Sequence, residues 1–450
     1  MCRFSAVVSV LIACLAACGD DGANRLPDAP LPDDAAVDSP APVTTVNITT
    51  LARTYDEVAP GTPRAGVMVF GVSAANTVVS SAVTDSAGKA TLSLPDGGSV
   101  TAVYDAGGGK VTNVVTTFVG VKPGDSLTFG DRARNVSSTT GQAGTMTLRW
   151  APVTDATHYR VHSPCYQTSY TGSTEVLIEL GEDCQTPTAA VGLVAYDDGD
   201  NALASLLLPA APYTPGSTLE IAANQWVAQT PDNLRLDLVN LDAAVGDVIV
   251  GAVDELVFGE LGRFWWSYPP ISHTLTPKGA TASRLFSAAD AAPRKSVAAK
   301  LHHETHVGRI WAYQAAASSP VTLDAANVPW VSTLTLGADQ RSVAWTQTAG
   351  AHDAAVLRFW WSSFEWIVIL PPGVTAFDVP SPPAALAPYL PTAKDEVNLY
   401  GCELVDLASA TSYDDLRALP EWRITDGEIA VRAGEETRSI SADCGEGYHF

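Results

Sequence analysis

The stretch Val83-Thr84-Asp85-Ser86-Ala87-Gly88-Lys89-Ala90-Thr91-Leu92 decides the fold class, because it places turn residues between two β-type runs. Asp and Gly favour tight turns, whereas Val, Thr and Leu in short runs favour strands. Val67-Met68-Val69-Phe70 before it and Val100-Thr101-Ala102-Val103 after it are further runs of the same kind. The stretch therefore predicts antiparallel hairpins.

The rest of the body has the same character. Short runs of Val, Ile, Thr, Leu and Tyr are separated by Gly, Pro, Asp and Asn, and strong helical periodicity is absent. The best candidate helix is short and begins after Ser412 as N-cap, with Leu416 and Leu419 on its apolar face. We predict an all-β fold of tandem immunoglobulin-like and fibronectin-like β-sandwiches behind a disordered tether.

Residues 44–135, the first segment, contain the opening stretch. Its Thr84-Asp85-Ser86-Ala87-Gly88 turn between two strands resembles the carboxypeptidase-regulatory-like β-sandwiches. In that family the module is an accessory or stalk domain, and the resemblance implies no catalytic residue here.

Residues 143–222, the second segment, begin with Leu148-Arg149-Trp150-Ala151-Pro152-Val153, and Tyr159-Arg160-Val161 follows. This arrangement resembles the early strands of a fibronectin type III sandwich. The resemblance implies that Trp150 packs under the strand of Tyr159, so we expect it in the core.

The aromatic residues concentrate in the third segment (223–330) and the fourth (331–450). Nine of the eleven tryptophans lie between Trp226 and Trp366. Arg263-Phe264-Trp265-Trp266-Ser267 recurs 95 positions later as Arg358-Phe359-Trp360-Trp361-Ser362. This spacing suits two successive sandwiches of about 100 residues. We expect a sandwich in each segment, with the fourth closed by a disulfide-linked C-terminal region.

The chain begins with the features of an exported protein. Arg3 precedes an apolar run over residues 4–15 that is too short to span a bilayer and is typical of a signal peptide. Leu15-Ala16-Ala17-Cys18 resembles the processing site of bacterial lipoproteins, in which the Cys becomes the acylated first residue. We expect residues 1–17 to be the signal and Cys18 the lipidation site; an ordinary secretory signal is the alternative.

Residues 18–43 predict a tether. Between Gly19 and Pro42 there are six aspartates, five prolines and a single Arg25, with almost no large apolar residue. Such a segment cannot bury enough surface to offset the entropy of ordering. We expect an extended, disordered spacer that holds the body away from a lipid surface.

Four cysteines remain in the body after Cys2 and Cys14 leave with the signal and Cys18 is acylated. An even number in an exported chain predicts two disulfides, most simply Cys165–Cys184 and Cys402–Cys444. A metal site is the alternative, but neither pair has Cys-x-x-Cys spacing.

The charge balance argues against one class of partner. The chain has 26 basic and 49 acidic residues, a net charge of −23, and the signal removes only Arg3. Such a body is repelled by phosphate backbones, so we expect no nucleic-acid partner.

One motif suggests catalysis. Gly124-Asp125-Ser126-Leu127 is the tetrapeptide that names a lipase and esterase family, in which the Ser is the nucleophile and a distant His its base. The only matching Asp-x-x-His is Asp155-Ala156-Thr157-His158, inside the second segment. A turn that leads into a strand at Leu127 explains the motif better.

Two acidic or histidine-rich stretches suggest metal binding. In His302-His303-Glu304-Thr305-His306 the spacing does not fit a helical zinc motif, but a strand would place His302, Glu304 and His306 on one face. Asp197-Asp198-Gly199-Asp200-Asn201 has calcium-type oxygen ligands, but a hairpin turn explains the same residues without any ion and is favoured. We expect no metal and no cofactor.

The paired tryptophans are the remaining candidates. Adjacent residues of a strand point to opposite faces, so one of Trp265 and Trp266, and one of Trp360 and Trp361, should face solvent or a domain interface. Exposed tryptophans stack on sugar rings or anchor protein partners.

The sequence therefore predicts a non-catalytic cell-envelope lipoprotein that acts as a structural and interaction (adhesion-like) protein. Its partners would be the bilayer, through acylated Cys18, and an envelope protein or polysaccharide, with the outer membrane favoured. A carbohydrate-binding array that uses the exposed tryptophans is the alternative, and a serine esterase at Ser126 is a remote one.

Overall fold

The computed structural model describes residues 44–52, 61–105, 113–131, 142–163, 166–181, 188–199, 202–212, 214–240, 247–257, 263–267, 271–273, 280–287, 294–303, 306–314, 321–324, 326, 329, 331–337, 341–362, 364–392, 394–425 and 437–443. The predicted signal, Cys18 and the tether lie outside this part of the chain. From Val43 to Phe450 the chain forms one compact unit.

The first segment contributes β1 (Thr45–Ala52), β2 (Thr62–Pro63), β3 (Met68–Val72), β4 (Val78–Val83), β5 (Lys89–Ser93), β6 (Gly98–Asp105), β7 (Asn113–Val121) and β8 (Ser126–Asp131). The second contributes β9 (Gln142–Trp150), β10 (His158–Ser163), β11 (Tyr166–Thr171), β12 (Glu175–Gly181), β13 (Thr188–Tyr196), β14 (Ala202–Pro212) and β15 (Thr218–Ile221).

The third segment contributes a short 3-10 helix (Ala223–Gln225), β16 (Val227–Val239), β17 (Asp247–Val257), β18 (Arg263–Ser267), β19 (Ile271–His273), β20 (Ala280–Ser287), β21 (Arg294–His303), β22 (His306–Gln314) and β23 (Val321–Asp324). The fourth contributes β24 (Val331–Leu336), β25 (Ser342–Gln347), β26 (Ala354–Trp361), β27 (Phe364–Leu370), β28 (Ala376–Asp378), β29 (Asn398–Leu407), α1 (Tyr413–Arg417), α2 (Glu421–Thr425) and β30 (Thr437–Asp443).

The all-β prediction is confirmed, and the turn of the opening stretch forms as expected. Asp85 Oδ1 accepts hydrogen bonds from the backbone N–H groups of Ala87 at 2.8 Å and Lys89 at 2.9 Å. Gly88 has φ +66°, and a Cβ there would lie 2.3 Å from the carbonyl oxygen of Thr50. Only glycine fits this turn, because the left-handed conformation and the close approach of strand β1 both exclude a side chain.

Helix α1 also begins as predicted. The Ser412 hydroxyl accepts a hydrogen bond from the backbone N–H of Asp415 at 3.1 Å, as an N-cap does. Leu416 is fully buried and Leu419 packs against the same core.

The two ends of each of the first three segments meet. The first and last strands of a segment pair in parallel: β1 with β8, β9 with β15, and β16 with β23. The exact domain boundaries stay predictions, but this pairing closes each segment on itself.

Two sheets nevertheless cross these boundaries: β14 of the second segment pairs with β16 of the third, and a larger sheet joins the first, third and fourth segments. The strand order of this larger sheet is β18-β17-β21-β22-β30-β29-β26-β27-β7-β6-β3-β4, with β19 also paired to β17, and we call it the central sheet. Strand β7 of the first segment pairs in parallel with β27 of the fourth, from Asn113 opposite Phe364 to Phe118 opposite Ile369. The first and fourth segments therefore share a sheet instead of each completing its own.

Both faces of the central sheet are covered where β26 and β27 lie. One face packs on β1, β5, β8 and the two helices to form the first core, with members such as Ile48, Phe118 and Ile369. The other packs on β24 and β25 and on residues 379–397 to form the second core, which includes Trp345, Phe359 and Trp366. Burial on both faces explains why β26 and β27 are almost continuously apolar.

The second segment forms two sheets around the third core, and one of these sheets continues from β14 into β16 and β20 of the third segment. Trp150 is 3% exposed and packs edge-to-face on Tyr159, with ring centroids 5.2 Å apart. The prediction that Trp150 is a core residue is confirmed. Among the helices of the described residues, none has the length and apolarity to cross a membrane.

Candidate binding site at the aromatic end of the central sheet

The second Arg-Phe-Trp-Trp motif lies at the end of strand β26, in the middle of the central sheet. Phe359 and Trp361 point into the second core and are 0% and 4% exposed. Trp360 points to the opposite face, as the strand period of two requires, and is half-buried. Trp360 is thus the member of this pair that reaches the surface, and Trp361 is part of the core.

Tyr400 of strand β29 accompanies Trp360. Their ring centroids are 5.8 Å apart, with the planes tilted by 46°, and Tyr400 is 41% exposed. In the pairing of β26 with β29, Arg358 is opposite Gly401 and Phe359 is opposite Leu399, so Tyr400 is the extra residue of a β-bulge. Bulges redirect side chains, which explains how Tyr400 comes to lie beside Trp360.

Two contacts fix the aromatic end of the strand. The indole Nε1–H of Trp360 donates a hydrogen bond to the carbonyl oxygen of Ser362 at 3.2 Å. Trp361 stacks on Phe364 of β27, with centroids 5.3 Å apart and planes 7° from parallel. The hydrogen bond to Ser362 restrains the indole of Trp360 in the free protein.

Polar and charged groups surround the two rings. Asn398 and Glu365 are the cross-strand partners of Trp360 on either side, and Asn398 is exposed. Arg358, two residues earlier on the same face, lies 3.7 Å from Glu365 (Nη1 to Oε1) and 3.9 Å from Glu403 (Nη2 to Oε2). Arg358 also donates to the carbonyl oxygen of Thr425. With two carboxylates to one guanidinium, the site has a net negative charge.

The first copy of the motif is strand β18. It pairs with β17 so that Trp265 is opposite Glu255 and Trp266 is opposite Asp254. The structure describes only the backbone of this strand, so the roles of Trp265 and Trp266 stay predictions.

The Gly-Asp-Ser-Leu motif forms the turn before strand β8. Gly124 has φ +95°, and the Asp125 carboxylate accepts a hydrogen bond from the backbone N–H of Lys122 at 2.8 Å. Ser126 is exposed at the start of β8, opposite Asn47. Ser126 and His158 lie on strands of different sheets, and His158 stacks on Tyr196 with centroids 5.2 Å apart.

Asp125 has another partner, which the sequence analysis missed. Its carboxylate accepts a hydrogen bond from Arg417 Nε at 2.9 Å, and Arg417 Nη2 donates to Asp414 at 2.8 Å. The guanidinium also lies 4.8 Å from the ring centre of Tyr413. A hydrogen bond from Lys122, with Arg417 beside it, lowers the pKa of Asp414, whereas burial raises the pKa of Tyr413. The motif thus holds helix α1 in place; the only signal in the sequence is the predicted helix itself.

Each of the two candidate metal stretches lies where two consecutive strands pair antiparallel, β21 with β22 and β13 with β14. Strand β21 ends at His303 and β22 begins at His306, with His303 opposite His306, so the single strand expected through His302, Glu304 and His306 is wrong. Asp197 Oδ1 accepts a hydrogen bond from the backbone N–H of Gly199 at 2.9 Å, as in a hairpin turn. Within the described ranges, no three His, Cys, Asp or Glu side chains come together as a metal site needs.

Of the predicted disulfide residues, only Cys402 lies in the described part. It is fully buried in the second core, on strand β29 opposite Ala442. Cys165, Cys184 and Cys444 lie outside that part, and Cys18 does too. Both disulfides and the lipidation site therefore stay predictions.

Comparisons with known proteins identify no relative. No protein-family profile matches the chain, and no curated protein matches it. Among solved structures, the Bacillus anthracis TIE protein has a TM-score of 0.15 at 11% identity, over 63% of this chain and 49% of its own. PulA from Klebsiella pneumoniae gives 0.14 at 10% over 62% and 31%, and E. coli alpha-2-macroglobulin gives 0.11 at 10% over 77% and 26%. The chain thus spans half or less of each, and scores this low carry no argument about function.

Proposed function

We propose that the chain is a non-catalytic lipoprotein of the cell envelope, held to the bilayer by acylated Cys18, and that its β-body acts as a structural and interaction (adhesion-like) protein. The outer membrane is the favoured location. The observation that carries the proposal is the Trp360–Tyr400 pair, because these two large aromatic side chains lie together outside both cores of a sheet that is otherwise packed on both faces.

The central sheet suits a binding role. A partner that docks on a rigid surface orders fewer side chains, so less free energy is lost on association. The rings of Trp360 and Tyr400 extend from strands β26 and β29, which pair over the stretch from Ala354 to Trp360. Aromatic side chains of this size are the usual anchors of an interface.

The esterase alternative has less support. Asp125 is engaged by Arg417 and by the backbone of Lys122, which suits a structural turn. Ser126 would need a base, and the candidate His158 belongs to another sheet.

The lipid anchor is tested by acylation. The full chain is produced in a Gram-negative host fed an alkyne-bearing fatty acid, and label on the protein is measured after fractionation of the envelope. We expect label and membrane recovery for the wild type, and loss of both in Cys18→Ala. Cys2→Ala is the matched control and should keep both, because Cys2 is removed with the signal. Label on Cys18→Ala, or a wild type without label, would contradict the anchor.

A further inference from the structure

We propose that Trp360, Tyr400 and Asn398 form a binding site for a neutral polysaccharide, with a sugar ring stacked on the exposed face of the aromatic pair. The inference deepens the proposed interaction role, since it names the chemical class of one partner.

The aromatic pair matches the apolar part of a sugar. A pyranose ring presents a face of C–H groups, and it gains most when that face lies on a flat, polarisable ring of similar size. Trp360 and Tyr400 are the two large aromatic residues that the structure places side by side on this face, with centroids 5.8 Å apart.

The surroundings match the polar part of a sugar. Asn398 is exposed beside Trp360 and offers both a donor and an acceptor to hydroxyl groups. Arg358, which lies within 4 Å of Glu365 and of Glu403, makes the neighbouring part of this face charged. The groups around the two rings are polar, whereas an interface for an apolar protein partner would continue as an apolar patch.

The charge selects among polysaccharides. The two carboxylates outnumber the single guanidinium, and the chain as a whole carries a net charge of −23. Polymers rich in uronic acid, sulfate or phosphate are repelled by this field. A neutral glycan meets no such repulsion.

The site is preorganised for this role. The Trp360 indole is held by its hydrogen bond to Ser362, and the bulge at Tyr400 fixes the second ring beside it. A ring that keeps its orientation in the free protein costs little entropy when the ligand binds.

The test uses the full-length protein in detergent and four soluble neutral polysaccharides: a β-1,4-glucan, a β-1,3-glucan, an α-1,4-glucan and a galactomannan. Alginate serves as the anionic probe. Binding is measured by affinity gel electrophoresis and by quenching of tryptophan fluorescence. We expect at least one neutral glycan to retard the protein and alginate not to do so.

Variants locate the site. Trp360→Ala and Tyr400→Ala should each weaken binding about tenfold or more, because a stacking ring is lost. Trp360→Phe should retain most of the affinity, which separates stacking from a loss of folding. Leu177→Ala is the control, since it removes an exposed apolar side chain, 54% exposed, from the second segment. Circular dichroism checks that each variant is folded.

The outcomes divide clearly. Binding to none of the neutral glycans, stronger binding to alginate, or binding that Trp360→Ala leaves intact would overturn the proposed site. These results would leave the envelope role standing if Cys18 is acylated. Conversely, if the protein bound a glycan but carried no lipid, the glycan site would be supported and the predicted lipid anchor would be contradicted.

Discussion

The carboxyl of Asp353, just before strand β26, is the described acid whose environment most disfavours its charge. Burial, with smaller contributions from Asp406 and Asp415, raises its pKa from 3.8 to about 6. A hydrogen bond from the backbone N–H of Leu407 to Oδ2, at 2.9 Å, opposes this change. Neighbouring His352 has its pKa lowered, chiefly by burial. Both groups are thus favoured in their neutral forms in the folded protein.

The raised pKa predicts the sign of a pH effect. The folded state binds the Asp353 proton more tightly than the unfolded state, so the stabilisation is complete below pH 3.8 and is lost as the pH rises through about 6. Asp353→Asn should therefore gain stability relative to the wild type between pH 4 and 7. For a half-buried carboxyl we expect a gain on the order of 1 kcal/mol after solvent screening.

Urea denaturation followed by tryptophan fluorescence measures this difference at each pH. Asp395→Asn is the control with the opposite sign, because hydrogen bonds from Thr392 lower the pKa of Asp395, so its stabilising effect appears as the pH rises. The His352 contribution is common to the wild type and Asp353→Asn and cancels. A difference between these two proteins that does not grow with pH would contradict the assignment.

At the scale of elements, helix α1 fastens the junction between β7 and β27. The Tyr413 hydroxyl lies 2.8 Å from the carbonyl oxygen of Val119 on β7 and 3.1 Å from that of Ile369 on β27. Arg417, 1% exposed, connects the helix to Asp125 in the turn before β8. A five-residue helix is thus held by one buried cation and one phenol.

Removal of the Arg417 guanidinium should lower the free energy of unfolding, because helix α1 loses its link to Asp125. Arg417→Met keeps the length and apolar stem but leaves Asp125 without its charged partner, and we expect a loss of about 3 kcal/mol. Lys122→Met is the matched control: it breaks the exposed ion pair with Asp414, whose side chains are 51% and 57% exposed, and should cost under about 1 kcal/mol. Adding Asp125→Asn to Arg417→Met should restore part of the loss. Equal effects of the two single variants on the denaturation midpoint would contradict the role of Arg417.

The elements that the sequence predicted are those with a local cause. The hairpin at Asp85 and Gly88 and the N-cap at Ser412 depend on residues within five positions of each other, so their patterns are visible in the chain. The Arg-Phe-Trp-Trp motif marked strand β26 in the sequence, and the alternation of side chains along a strand predicted that Trp360 and Trp361 point to opposite faces. Tyr400 was missed because its exposure depends on a bulge, which leaves no periodic mark in the sequence.

At the scale of the whole molecule, the decisive contact joins distant parts of the chain. Strands β7 and β27 pair although about 250 residues separate them, and both are apolar enough to suit any buried strand. Periodicity identifies such strands but not their partners, since register between remote segments depends on the packing of complete layers. The sequence therefore predicted successive sandwiches, whereas the first core contains residues from both the first and the fourth segments.

This shared core predicts that the first and fourth segments unfold together. Ile369 of β27 is fully buried in the first core, and Ile178 of β12 is fully buried in the third. Ile369→Ala should lower the free energy of unfolding by about 2–5 kcal/mol. It should also increase amide hydrogen exchange in β1, β5 and β8 as well as in its own strand, because these strands lose a common core.

The control, Ile178→Ala, makes the same chemical change in the second segment and should accelerate exchange mainly in β9, β12 and β15. Hydrogen exchange followed by mass spectrometry distinguishes the two patterns. If Ile369→Ala left exchange in the first segment unchanged, the two segments would be independent bodies, and the pairing of β7 with β27 would contribute little to their stability.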